Sequence, residues 1–304
     1  MVQTFNPDTV MLSQSGGQEI RNAGFTAEFL QTLVAQSKTL QLGSPIQMDS
    51  RMKRVSTAGE LTDAYFVGEG EKIGTAKVGL KDYILEARKI AVILPVTEEF
   101  LSYSWAQYFR EVLPAVVDKF NKKIDGAVFL GLHNNPFGAN VLASATTAAN
   151  VIEGPLNFEN LLGLEATSDA EPTAVVGHRS VNVALRGIAD VHGNYAYDRN
   201  SNTIDGIPFH ELKLAEGQAY PAGTLLAGDF RNGLKYGVPN GTDLRIKIAD
   251  QATLSKAQNT APDTGDVHLF EQDMQAARFV FEIAVAIPNP EAFAAITPAP
   301  APAV

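Results

Sequence analysis

The stretch Ala64–Ser104 joins an aromatic arm, a charged glycine turn, a long apolar strand and an acidic helix start in one continuous run. Gly68, Gly70 and Gly74 punctuate the turn, where residues without a Cβ accept positive φ at little cost. Asp82–Val96 then carries Ile84, Leu85, Ile90, Val92, Ile93, Leu94 and Val96, residue types that suit a pleated strand. At ~3.3 Å per residue such a strand spans roughly 50 Å, whereas ordinary strands hold about 5–6 residues. The sequence therefore predicts a strand that leaves the body of the domain.

Composition limits what that body can be. The chain has 304 residues, 45% hydrophobic and 19% charged, enough for one large or two intimate domains. With no cysteine it has no disulfide, no Cys-ligated zinc and no catalytic thiol, which is compatible with a reducing cytoplasm. No apolar run is long enough to span a bilayer, and the first twenty residues lack the basic and apolar regions of a signal peptide, so nothing directs the chain to a membrane. A net charge of −10 argues against a dedicated nucleic-acid binder, because phosphate neutralisation needs clustered cations. Arg51, Lys53 and Arg54 form one local exception. They suit contact with DNA or an acidic neighbour, against the ordinary outcome of a solvated or salt-bridged strand face.

Periodicity organises the rest. Residues 1–24 read as an extended arm, followed by a short amphipathic helix near Thr26–Ser37 with Thr26 as N-cap. Thr97 can cap a helical turn whose Glu98 and Glu99 complement the positive end of the helix dipole. Ser104–Leu132 reads as a long amphipathic helix with Trp105, Phe109, Val116, Phe120 and Ile124 on its apolar side; a bend is expected at Pro114 and an end at Gly131. From Gly154 onward helices and short strands alternate. Asn157 should cap Phe158–Ser168, Ala174–Gly177 should be a buried strand, and Ser180 should cap Val181–Val191. The polar stretch Asn194–Asp205, with Tyr195, Tyr197 and Arg199, reads as a solvated loop that could serve as a contact. Asp243–Asp250 and Phe279–Ile287 read as strands, and TPAPAPAV as a disordered tail.

The motifs of catalysis are missing. The five histidines lack metal spacing, there is no nucleophile elbow and no phosphate loop, and Gly68-x-Gly70-x-x-x-Gly74 misses the dinucleotide fingerprint by one residue. Glu98 and Glu99 point in different directions on a helix and make a poor carboxylate pair. No catalytic residue, cofactor site or metal site is expected.

Taken in order, Tyr65-Phe66-Val67-Gly68-Glu69-Gly70, Arg88-Lys89-Ile90-Ala91, Thr97-Glu98-Glu99-Phe100-Leu101, Pro172–Tyr195, Thr203–His210, Gly223–Phe230 and Phe270–Ile296 resemble the major capsid proteins of tailed bacteriophages, with the Hong Kong 97-type fold. The resemblance covers nearly the whole chain. It implies an α+β fold divided as follows: 1–50, N-terminal arm and short helix; 51–90, extended β-hairpin loop; 91–153, peripheral domain with its spine helix; 154–240, axial α/β domain. After these come 241–270, a peripheral strand and loop; 271–296, a C-terminal strand completing the axial domain; and 297–304, a disordered tail.

The resemblance further implies homopentamers and homohexamers closing an icosahedral shell around double-stranded DNA, with a portal and a separate scaffolding protein, assembled in the host cytoplasm. About fifty residues precede the loop, so either that separate scaffold acts or the sequence is a mature form. Assembly contacts are expected at Tyr65, Phe66, Glu69, Glu71, Lys72 and Lys77. The covalent cross-link of the family's namesake, between a loop lysine and an asparagine of a neighbour, is not expected: Lys72 lies beside Glu69 and Glu71, and Phe270–Ala277 contains no Asn. An encapsulin-like compartment, which shares the fold, is the alternative.

Overall fold

The computed structural model describes residues 32–61, 64–73, 75, 78–168, 170–189, 192–193, 195–239, 245–254 and 267–298; the side chains of 58–61, 78, 98–110 and 267 are not among those described. The expected Thr26 cap, the arm of residues 1–24 and the tail beyond residue 298 lie outside this set. Two units emerge from the packing. The smaller comprises 1–37, 89–121 and 241–282, and the larger comprises 38–88, 122–240 and 283–304.

In the larger unit, α1 (Lys38–Leu42) and β1 (Ser44–Pro45) lead into β2 (Met52–Leu61), which pairs antiparallel with β3 (Val78–Glu86). The strand expected over Asp82–Val96 is in fact two, β3 and β4 (Arg88–Thr97), divided at Ala87. Ala87 is fully buried beside Met48, Leu85 and Ala284, and its N–H donates to the Arg51 carbonyl. One residue pinned in this way lets the chain change sheets, since β3 pairs with β2 while β4 pairs with the long strand β15 (Met274–Ala286).

Helix α2 (Glu98–Leu130) begins earlier than its apolar periodicity suggests, and Pro114 lies inside it without ending it. Gly131 follows at φ 71 and its N–H bonds the Ala127 carbonyl. Val116, Phe120 and Ile124 are all buried, as the pattern requires, whereas the side chains of Trp105 and Phe109 lie outside those described. Helix α2 and strand β15 each run from one unit into the other.

The larger unit holds a seven-stranded sheet built from β5 (Val151–Glu153), β6 (Ala174–Gly177), β7 (Tyr197–Asp198), β8 (Thr203–Ile204), β9 (Ile207–Glu211), β10 (Leu225–Gly228) and β16 (Phe293–Thr297). Their spatial order is β5-β16-β10-β6-β9-β8-β7. Helix α3 (Val141–Thr147) precedes β5, capped by the Asn140 side chain; α4 (Phe158–Thr167) is capped by Asn157, as expected. Helix α5 (Arg179–Leu185) departs from expectation. Its N-cap is His178, whose Nδ1 accepts from the Ser180 N–H, and it ends well before Val191, in a turn at Arg186 and Gly187.

Two further corrections concern strands. Residues 271–296, expected as one C-terminal strand, form two: β15 and, beyond Pro288 and Pro290, β16, which belong to different sheets. Asn194–Asp205, expected as loop, contains the β7–β8 hairpin. Tyr197 is buried there because its hydroxyl donates to Asn202 Oδ1 and its ring packs edge-on to Phe209.

The short α6 (Phe230–Gly233) and β11 (Lys235–Gly237) follow β10. β11 pairs with β1 on one side and with the end of β15 on the other. A Cβ at Gly237 would stand 2.5 Å from Met48 Sδ, so only glycine permits that approach.

In the smaller unit β12 (Arg245–Ala249) pairs with Ala276–Val280 of β15, and β13 (Thr253–Leu254) with β14 (Val267–His268). Glu282 on β15 is buried between Lys89 on β4 (3.8 Å) and Arg245 on β12 (3.6 Å). Because Phe120 and Ile124 fill well-packed positions, truncating either to Ala should cost about 2–5 kcal/mol of subunit stability. Thermal melting of unassembled subunits tests this: variants that melt like wild type would mean that the apolar face of α2 packs loosely.

Candidate assembly surface

The β2–β3 ribbon has two unlike faces, set by strand alternation. Lys53, Val55, Tyr83 and Leu85 share one face, and Val55, Tyr83 and Leu85 join the cluster of Met48, Ala87 and Ala284 at its root. The opposite face presents Met52, Ile84 and Leu80 at 56%, 56% and 73% exposure, interrupted by the Arg54–Asp82 ion pair at 3.0 Å. Two-stranded ribbons are marginal in water unless a further surface covers them. Here the root is covered and the outer face is wet.

Beyond the strands, Tyr65, Phe66, Glu69, Glu71 and Lys72 are all exposed, Phe66 completely; Lys77 lies outside the described residues. The turn is closed by Glu71, whose N–H donates to the Gly68 carbonyl and whose carboxylate accepts from the Gly68 N–H at 3.2 Å, with Gly70 at φ 86. A bare Phe beside exposed Tyr65 and Ile73 forms an apolar tip that a solitary subunit gains nothing by displaying.

The basic cluster is engaged within the chain. Arg54 pairs with Asp82, Lys53 Nζ donates to the Gln47 carbonyl, and Arg51 Nε reaches the Ala87 carbonyl at 3.4 Å. Of the polar stretch, Asn194 is outside the described residues, Tyr195 is exposed and Tyr197 is core. Arg199 stands in the exposed turn after β7.

An anchor that periodicity did not reveal lies at Asp125. This buried carboxylate on α2 accepts from Lys38 N–H (2.9 Å), Thr39 N–H (3.0 Å) and Thr39 Oγ1 (2.7 Å), tying the start of α1 to the helix. Burial lowers the Lys38 pKa and the Asp125 charge opposes that shift; burial, then Lys38, lowers the His210 pKa. The one available signal was a carboxylate set among Ile124, Ala127 and Val128. Tyr220 is raised by burial; it stacks on His178 and donates to the Thr224 carbonyl, a structural role. Among the described residues no cluster of His, Asp and Glu could hold a metal, and no helix is long and apolar enough to cross a membrane.

A ribbon rooted in the larger unit, with an apolar outer face open to solvent, offers a surface that a second protein surface can cover. The chain belongs to the Phage capsid family, whose model matches residues 21–297. It is 37% identical over 301 residues to the major capsid protein of Staphylococcus phage 80alpha, covering 98% of this chain and 90% of that one. Among solved structures it shares its fold with a chain of Mycobacterium phage Adephagia (TM-score 0.67, 24% identity, 88% of this chain and 91% of that one). It also shares it with the capsid of an empty GTA particle computed with C5 symmetry (TM-score 0.62, 14% identity, 86% and 89%). The α+β capsid fold expected from the sequence is thereby borne out, and the phage reading is favoured over the encapsulin-like one.

If the outer face of the ribbon is an assembly contact, replacing Leu80 and Ile84 together by Ser should leave the subunit's melting temperature nearly unchanged while reducing particle yield at least about tenfold. Sedimentation of particles measures it. Unchanged yield would remove the outer face from the assembly surface.

Proposed function

We propose that this chain is the major capsid protein of a tailed double-stranded DNA phage, forming homopentamers and homohexamers that close an icosahedral shell. The observation that carries the proposal is the exposed outer face of β2–β3, together with the bare Phe66 tip, in a chain belonging to a capsid family. The family supports a virion location and multimeric shells. A portal, a separate scaffolding protein, packaged DNA and assembly in the host cytoplasm complete the reading. The work of the protein is assembly, and no catalytic role is assigned to it. Many modest contacts closed by symmetry give a shell more stable than any single interface.

Within this reading, residues 51–90 act as the extended loop, α2 as the spine helix and 154–240 as the axial domain. Arg51, Lys53 and Arg54 brace the root of the ribbon. Lys72, exposed beside Glu69 and Glu71, makes salt-sensitive contacts across capsomer boundaries. Negative-stain microscopy of the purified full chain should show shells or capsomers; a uniformly monomeric protein at high concentration would contradict the proposal. Denaturing electrophoresis of mature particles should give one band near 32.6 kDa. A ladder of multimers surviving boiling would show that the shell is covalently linked after all.

A further inference from the structure

A pocket of about 150 Å³ in the larger unit is walled by Phe158, Leu161, Leu162 and Ile204, with the carboxylates of Glu165 and Asp205 also lining it. Asp205 occupies the two-residue turn between β8 and β9 at φ 48, and its N–H donates to the Ala196 carbonyl. The two acids repel: the Glu165 carboxyl is pushed up, first by burial and then by the Asp205 charge. No described cation forms a salt bridge with either. Asp205 is exposed and Glu165 half-buried, and in an isolated subunit solvent alone offsets the repulsion between them.

A matching excess of positive charge stands nearby in sequence. Arg186 lies 5.9 Å over the Tyr197 ring with its Nε on Asn182 Oδ1, and Arg199 reaches only the Arg186 carbonyl, at 3.5 Å. Neither arginine has a carboxylate partner among the described residues. The acids and Arg199 are at opposite ends of the β7–β8 hairpin, since Ala196 and Asp205 flank its base while Arg199 is in its turn. Within one chain no ion pair joins Arg199 to Glu165 or Asp205 among the described residues.

We propose that the pocket receives the guanidinium of Arg199 from a second copy of this chain, an inference that rests on the shell reading above. The fit is chemical. A guanidinium is planar and weakly hydrated, so its faces and stem suit apolar walls while its N–H groups meet two carboxylates. The contact is heterologous, one surface of each copy against a different surface of the next, and repeated by rotation such contacts close rings. It brings to the acidic pair a cation, Arg199, that has no carboxylate partner within its own subunit among the described residues.

The test uses full-length protein and reads the concentration at which particles form, by sedimentation. Arg199→Glu and Glu165→Lys should each raise it about tenfold, and the double reversal should restore it to within about threefold of wild type. Glu165→Gln guards against misfolding: freed of the repulsion, its subunits should melt at or above the wild-type temperature while still assembling poorly. Single variants that assemble like wild type would overturn the inference, as would a double variant no better than the worse single one, which would mean the pocket takes another cation. Wild-type protein that forms no particles would overturn the shell reading itself, and this inference with it.

Discussion

The packing of Met48, Leu85, Ala87 and Ala284 fixes the root of the β2–β3 ribbon, and the assembly surface depends on it. Ala87 is where the chain leaves one sheet for another, and the close approach of Gly237 to Met48 leaves no room for a side chain. Without that anchorage a two-stranded ribbon would be marginal, and its outer face would have no defined direction. With it, one face is committed to the subunit and the other is left for a neighbour.

The same division between settled and unsettled groups recurs elsewhere. Glu282 is settled, held between Lys89 and Arg245, and so is Asp125, which accepts three hydrogen bonds from Lys38 and Thr39. Glu165 and Asp205 on one side, and Arg199 on the other, are not. A protein that acted alone would gain by removing exposed Phe66 or by neutralising Glu165. Both features become favourable once a second copy supplies the missing surface, which is the energetic logic of a shell subunit.

Much of the fold was legible because long periodic elements announce themselves. The apolar stripe of α2, the Asn157 cap of α4 and the buried run of β6 all stand where side-chain spacing puts them. What the residues alone concealed were changes of partner. Asp82–Val96 reads as one strand because its residue types suit a strand throughout, yet the phase of burial changes after Ala87, from Tyr83, Leu85 and Ala87 to Ile90, Val92 and Leu94, where that buried small residue divides it. Tyr197 hid in a polar stretch because its burial rests on Asn202 and Phe209, one a turn residue and the other on the next strand. The acidic pocket was invisible for a similar reason: Glu165 and Asp205 are far apart in sequence and meet only after the sheet forms.

Hydrogen–deuterium exchange across the ribbon, compared between unassembled subunits and intact particles, tests most directly whether neighbouring copies complete this surface. Amides at the root, from Met52 to Val55 and from Tyr83 to Glu86, should be protected in both states, because Leu85 and Ala87 are buried within the subunit. Those from Ser56 to Leu61 and from Val78 to Asp82 should exchange rapidly in the subunit and at least about tenfold more slowly in particles. Equal protection of the outer segment in both states would contradict the account, because the ribbon would then be complete without its neighbours.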